Sequence, residues 1–149
     1  MEKHHYHSPV GVLEITAVDD AVTALRVISQ PNSTLQSSHK IIVQCCKELD
    51  EYFDGKRRNF DVKVSLEGTD FQRKIWKKLQ EIPYGTTISY ATLAREAGFP
   101  KACRATGSAN GKNPVAIIVP CHRVIASDGT LGGYAYGLEV KKTLLDLEK

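Results

Sequence analysis

Asn113-Pro114-Val115-Ala116-Ile117-Ile118-Val119-Pro120-Cys121-His122-Arg123-Val124-Ile125 is the stretch on which the reading of this chain turns. An apolar run feeds into a proline and then a cysteine, a histidine and an arginine. The run has the pattern of a buried strand, with the cysteine expected at its end. A strand that only fills a core has no use for Cys-His-Arg, because burying His and Arg without partners costs several kcal/mol. A thiol beside His and Arg is expected to have its pKa lowered from about 8.5, and thiolate is the nucleophilic form. The order of the residues limits the chemistry. Neighbours in an extended segment point to opposite faces, so His122 is expected to reach Cys121 through a water or after a local kink. That gives little support to a multi-turnover cysteine hydrolase, in which His touches the sulfur directly.

Upstream, two periodicities alternate. Residues 6–30 read as strands, with Asp19-Asp20 as the turn between residues 9–17 and 22–27, and residues 30–38 read as a polar loop. Ile41, Ile42, Cys45, Leu49, Tyr52 and Phe53 recur at helical spacing, Gly55 ends that helix, and residues 60–66 alternate as another strand. A second unit begins at Glu67-Gly68-Thr69. Thr69 caps a helix with the apolar face Phe71, Ile75, Trp76 and Leu79, which Ile82-Pro83-Tyr84-Gly85 breaks. Ser89 caps the next helix, with Leu93, Ala94 and Ala97 inward and Gly98 at its end. Pro100 opens a third helix, from Lys101 to about Ala109, rich in small residues. Two short helices around a glycine-containing turn outline a helix-turn-helix.

The 149 residues suffice for one ordinary domain or two small ones, and 42% hydrophobic with 25% charged residues is the balance of a globular protein. Residues 1–66 carry 8 Lys+Arg against 9 Asp+Glu, and residues 67–149 carry 12 against 8. The basic surplus therefore lies in the C-terminal half, a modest hint of a polyanionic partner. Cys45, Cys46, Cys103 and Cys121 have no paired zinc spacing, and free thiols suit a reducing compartment. The N-terminal residues lead into no apolar run and no stretch approaches a membrane span, so a cytoplasmic location without membrane association is expected.

Pro120-Cys121-His122-Arg123-Val124 resembles the active-site motif of the O6-alkylguanine-DNA alkyltransferases. The resemblance extends through residues 71–76, Ile82-Pro83-Tyr84-Gly85, Ile88-Ser89-Tyr90, Ala102-Cys103-Arg104-Ala105, Asn113-Pro114, Gly132-Gly133-Tyr134 and residues 141–148. It covers nearly all of residues 69–148, whereas no residues in the N-terminal half identify the family. The resemblance implies an α+β fold. A small N-terminal α/β domain, residues 1–66, is followed by a winged-helix or helix-turn-helix-like C-terminal domain, residues 67–149, carrying the reactive cysteine.

It also implies a reaction: Cys121 thiolate takes the alkyl group from O6 of guanine in double-stranded DNA, once per molecule, without cofactor or metal and as a monomer. Activity on O4-alkylthymine is a further expectation. By the same carry-over His122 takes the Cys121 proton through water, Glu148 orients that imidazole, and Asn113 holds the turn around the cysteine. Tyr90 donates its phenol proton towards the departing guanine. Arg104 fills the place of the flipped base, with Ala102 and Cys103 beside it on a helix that approaches the minor groove, and Ser89 and Tyr90 are further DNA-binding residues. Main-chain groups near Cys121, Val124 and Ala135 contact the base, and Tyr134 forms a wall. Two positions depart from the pattern. Ala135 stands where some members have serine, and Tyr136 where others have glycine, so Tyr136 is expected to narrow the pocket and disfavour benzyl groups.

Two alternatives to alkyl transfer remain. Alkyltransferase-like proteins share the fold, lack the cysteine and flag damage without repairing it, but Cys121 is present here. A helix-turn-helix regulator would leave Pro120-Cys121-His122-Arg123 unexplained.

Overall fold

The computed structural model describes residues 1–31 and 33–149. Residue 32, within the expected loop 30–38, lies outside the described residues. The chain forms two compact units, Met1–Glu67 with Pro114–Ala116, and Gly68–Asn113 with Ile117–Lys149.

In the first unit β1 (Glu2–Ser8), β2 (Gly11–Val18) and β3 (Ala21–Ile28) form an antiparallel sheet in chain order. Val18 pairs with Ala21, leaving Asp19-Asp20 as a two-residue turn, and Asp19 takes the left-handed φ of 56° that such turns need. The sheet begins earlier than residue 6. Lys3-His4-His5-Tyr6-His7 has no apolar alternation to announce a strand, and its ladder is supplied by β2. Helix α1 (Lys40–Phe53) buries Ile41, Ile42, Cys45, Leu49 and Tyr52 and packs on the sheet.

Glu48 lies on the buried face of α1. Its carboxylate accepts from Gln44 Nε2 (2.9 Å) and from the backbone N–H groups of Asp61 (2.8 Å) and Val62 (3.0 Å). The strand expected over 60–66 is accordingly reduced to a single bridge between Val64 and Val22. Two of its donors serve the carboxylate instead of a ladder. Pro114–Ala116 lies beside β3, where Leu25 N–H donates to Pro114 O and Ala116 N–H donates to Leu25 O.

The second unit opens with α2 (Asp70–Leu79). Thr69 accepts from Gln72 N–H while the Gln72 side chain accepts from Thr69 N–H, a reciprocal cap. Ile75, Trp76 and Leu79 are buried, and Trp76 Nε1 donates to Ala109 O at 2.9 Å. Gly68 is required here, because a Cβ would lie 2.6 Å from the Trp76 ring. A two-residue strand β4 (Ile88–Ser89) leads into α3 (Tyr90–Glu96), whose cap is Ser89, with its hydroxyl accepting from Thr92 N–H at 3.0 Å. Gly98, at φ 94°, follows the helix end.

The following helix, α4, spans Cys103–Gly111, not Lys101 to Ala109: Ala102 N–H closes a turn onto Phe99 O before the helix starts. Strand β5 (Val124–Ile125) pairs in parallel with β4, and α5 (Leu138–Leu147) ends the unit.

The apolar run before Cys121 is not a strand reaching that residue. Residues 116–118 form a turn, with Ile117 at φ 72°, and Cys121–Arg123 forms one turn of 3-10 helix. A β-branched residue adopts left-handed backbone only where its surroundings hold it there, and Ile117 is buried. No helix among the described residues is long and apolar enough to cross a membrane.

Candidate active site

Cys121 opens its 3-10 turn with its side chain almost fully covered (5% exposed), at the wall of a cavity of about 680 Å³. Its carbonyl accepts from Asn110 Nδ2 at 3.3 Å, and Asn113 Nδ2 donates to Val119 O at 2.7 Å, which fixes the approach to the cysteine. Burial dominates the thiol, and the nearby polar groups of Asn113 and Tyr134, its own backbone and the Lys141 charge, all of which favour thiolate, do not offset it. The thiol is therefore pushed up, not down as the neighbouring His and Arg led the sequence reading to expect. Those side chains turn away from the sulfur toward a carboxylate, and a buried sulfur resists taking a charge.

That carboxylate is Glu148, itself 3% exposed. His122 Nε2 lies 2.7 Å from Glu148 Oε2, and Arg123 donates from Nε to Oε1 (2.8 Å) and from Nη2 to Oε2 (3.0 Å). Arg123 Nη1 donates to Ile82 O at 2.7 Å. A carboxylate only accepts, so the His122 proton is assigned to Nε2 and Nδ1 carries a lone pair. Nδ1 is buried without a protein partner among the described residues. Burial lowers the imidazole pKa below 6.5, against the opposing pull of Glu148, so the ring is a neutral base at neutral pH.

Lys141 is the second buried cation. Its ammonium donates to the carbonyls of Val124 (2.7 Å), Leu131 and Gly133 (3.0 Å). Burial lowers its pKa to about 8, with Cys121 acting in the opposite sense. It also lies 5.8 Å from the centroid of the Tyr90 ring. Tyr90 donates its hydroxyl to Gly133 O at 3.3 Å, and a Cβ on Gly132 would lie 3.0 Å from that ring, so the loop rests directly on Tyr90.

The structure brings most of the expected residues to one place. Cys121, Asn113, Tyr90, Arg104, Tyr134 and Tyr136 line the cavity, and so do Cys103 and Ala135. Tyr134 and Tyr136 stack edge to face at 5.7 Å. His122 and Glu148 are buried and do not line the cavity. Three residues stand apart from it: Ser89, which caps α3; Ala102, which precedes α4; and Val124, whose side chain is buried and whose carbonyl is taken by Lys141. Arg104 is exposed in the first turn of α4.

Sequence reasoning assigned no role to Lys141 or Asn110. The signal for Lys141 was its position: Lys141 and Leu144 share one face of α5, and Leu144 marks that face as the inward one.

Comparison with known proteins agrees with this arrangement. Residues 70–149 match the 6-O-methylguanine DNA methyltransferase DNA binding domain, and residues 1–66 match the 6-O-methylguanine DNA methyltransferase ribonuclease-like domain. A methylated-DNA–protein-cysteine methyltransferase of Mycolicibacterium paratuberculosis is 44% identical over 95% of this chain and 88% of its own length. One of Methanosarcina acetivorans is 42% identical over 96% and 95%. The crystal structure of Mycobacterium tuberculosis OGT in complex with DNA superposes with a TM-score of 0.91 at 43% identity, covering 100% of this chain and 93% of that one. The chain belongs to the 6-O-methylguanine DNA methyltransferase family.

Replacing Glu148 by Ala leaves a buried guanidinium and imidazole without their carboxylate, and is expected to cost about 3–5 kcal/mol in denaturant unfolding. Glu148→Gln, which keeps the shape and one acceptor oxygen, is expected to cost less.

Proposed function

We propose that this protein repairs DNA by moving the alkyl group of O6-alkylguanine onto its own Cys121. The observation that carries the reading is a thiol at the wall of a cavity with room for a base, followed in the chain by a neutral, carboxylate-held imidazole. Duplex DNA is the partner, and the basic surplus of the C-terminal half suits it. All the groups invoked belong to one chain, so a monomer suffices, and a cytoplasmic location suits its free thiols. We divide the work at residues 1–66 and 67–149, with DNA binding and chemistry in the second part.

The target base must leave the stack to reach a recessed sulfur, which costs a few kcal/mol and least for a mispairing lesion. Arg104, exposed on α4, takes the vacated place in the duplex, and the small residues Ala102, Cys103 and Gly107 allow α4 to approach the groove. Tyr134 and Tyr136 stand against the base, and the backbone of Ala135 offers it a donor.

The sulfur begins as a thiol, so a base is required. His122 Nδ1 takes the Cys121 proton through an intervening water, and Glu148 holds the Nε2–H tautomer and balances the resulting imidazolium. The thiolate attacks the alkyl carbon in line with the C–O6 bond. The S–C bond forms as the C–O6 bond breaks, and the electron pair leaves with guanine. Tyr90 donates its phenol proton to the departing base, which neutralises it. The thioether has no hydrolytic exit, so each molecule acts once. The same displacement on O4-alkylthymine is open to this sulfur.

Incubation with a duplex containing one O6-methylguanine is expected to add one methyl group to the Cys121 peptide by mass spectrometry, leaving guanine and no second turnover. Cys121→Ala is expected to gain nothing. Tight lesion binding without mass gain in the wild type would instead mark a damage-flagging protein. The transfer rate is expected to hold as pH falls to 6.5 and to drop only below it, because burial lowers the His122 pKa; a loss of rate already well above that pH would remove His122 as the base. Tyr136→Gly is expected to raise the benzyl-to-methyl rate ratio several-fold in a competition assay, and equal rates on both substrates in the wild type would contradict a narrowed pocket.

A further inference from the structure

Arg123 is 6% exposed, does not line the cavity and takes no step in the transfer. Its guanidinium nonetheless meets the acid on which the base depends. Glu148 Oε2 accepts from His122 Nε2 at 2.7 Å and from Arg123 Nη2 at 3.0 Å, so imidazole and guanidinium share one oxygen. Oε1 accepts from Arg123 Nε at 2.8 Å, and Ile82 O takes Arg123 Nη1 at 2.7 Å. Both carboxylate oxygens are therefore pinned from the arginine side, and that grip aims Oε2 at the imidazole.

The count of charges gives this sharing its consequence. A buried carboxylate with only an imidazole beside it favours the imidazolium, because a balanced pair is better than one bare charge. Here the carboxylate is already balanced. With a neutral ring, Glu148 and Arg123 carry one charge of each sign. A proton taken from water onto His122 adds a second positive charge with nothing new to meet it. A proton taken from Cys121 is different, since the thiolate forms at the same moment and the two new charges offset. We propose that Arg123 is a positioning residue for the transfer: by occupying the Glu148 carboxylate it keeps His122 an unprotonated base at rest, and it ties formation of the imidazolium to formation of the thiolate. The inference rests on the alkyl-transfer reading above.

Among the described residues, the charged groups acting on the ring are Glu148, Arg123 and Lys141. Lys141 acts in the same sense as Arg123, but its ammonium is directed to the carbonyls of Val124, Leu131 and Gly133. Cys121, next to the ring in the chain, is a thiol at rest. Burial of the ring also disfavours its charged form, and Glu148 alone opposes these effects. Tyr84, with its ring centroid 5.7 Å from the guanidinium carbon, helps to keep Arg123 in place.

The test follows single-turnover methyl transfer from an O6-methylguanine duplex against pH. In parallel, nitrogen–proton NMR of isotope-labelled histidine follows the ring itself, with the His122 signals identified by their loss in His122→Gln. Arg123→Met removes the charge and the donors, and Arg123→Gln removes the charge but keeps a donor for Glu148. The wild-type ring is expected to stay neutral, with its proton on Nε2, down to pH 6.5. In both variants the acid limb of the rate profile and the His122 titration are expected to move up together by about one pH unit or more, the effect of one nearby charge. The rate recovers towards the wild-type value in more alkaline solution. Adding Glu148→Gln to either variant is expected to return the titration to the wild-type position or below it. A merely structural role for Arg123 lowers the rate at every pH and leaves the profile's shape unchanged. That outcome, or a His122 titration that does not move, overturns the proposal. Should one variant not fold, the other provides the comparison. No methyl on Cys121 of the wild type at any pH overturns the alkyl-transfer reading, and the titration alone then decides whether Arg123 controls the charge of the ring.

Discussion

The Glu148 carboxylate is the interaction on which the second unit depends. Its two oxygens accept from His122 Nε2 and from Nε and Nη2 of Arg123, and all three side chains are buried. One acid facing a guanidinium and an imidazole is stable away from water because both carboxylate oxygens and the guanidinium nitrogens find partners, the last guanidinium nitrogen in Ile82 O. The cluster thereby joins the end of α5, the 3-10 turn and the loop after α2. Tyr84 extends the join, with its hydroxyl donating to Leu147 O and Arg123 lying 5.7 Å from its ring centroid. Gly85, at φ 79°, passes so close that a Cβ would lie 3.0 Å from Glu148 O. Glu148, just beyond α5, is thus buried and held by partners in the 3-10 turn.

Lys141 performs the matching task for the loop that lines the cavity. One ammonium satisfies three carbonyls, from Val124, Leu131 and Gly133, and so gives a fixed shape to a loop whose sequence is mostly glycine and small residues. Tyr90 supports the same loop through Gly133 O and through its contact at Gly132. The site wall is therefore set by buried polar contacts instead of by apolar packing alone, which confers precision on groups that must meet a ligand.

The electrostatics follow from burial. A covered sulfur stays a thiol and a covered imidazole stays neutral, so the resting site holds a weak nucleophile and an available base in place of a thiolate and an imidazolium. Asn113, Tyr134 and Lys141 favour the charged sulfur, but burial prevails over them.

Local sequence determined the elements whose cause is local. The Thr69–Gln72 cap, the Ser89 cap, Gly98 after α3 and the apolar spacing of α1 and α2 are each set within a few residues, and they stand where the chain chemistry puts them. The sequence also singled out Cys121, because Pro-Cys-His-Arg after an apolar run has no place in a plain core. Tertiary structure decided what depends on distant partners. Glu48 drew the donors of Asp61 and Val62 out of a strand, and Ile117 turned the chain before the cysteine. Burial raised the thiol pKa where the neighbouring residues alone argued for down, and Glu148 engaged His122 and Arg123 instead. Periodicity and capping are properties of a segment, whereas the ionisation of a buried group depends on which charges and dipoles the fold brings to it.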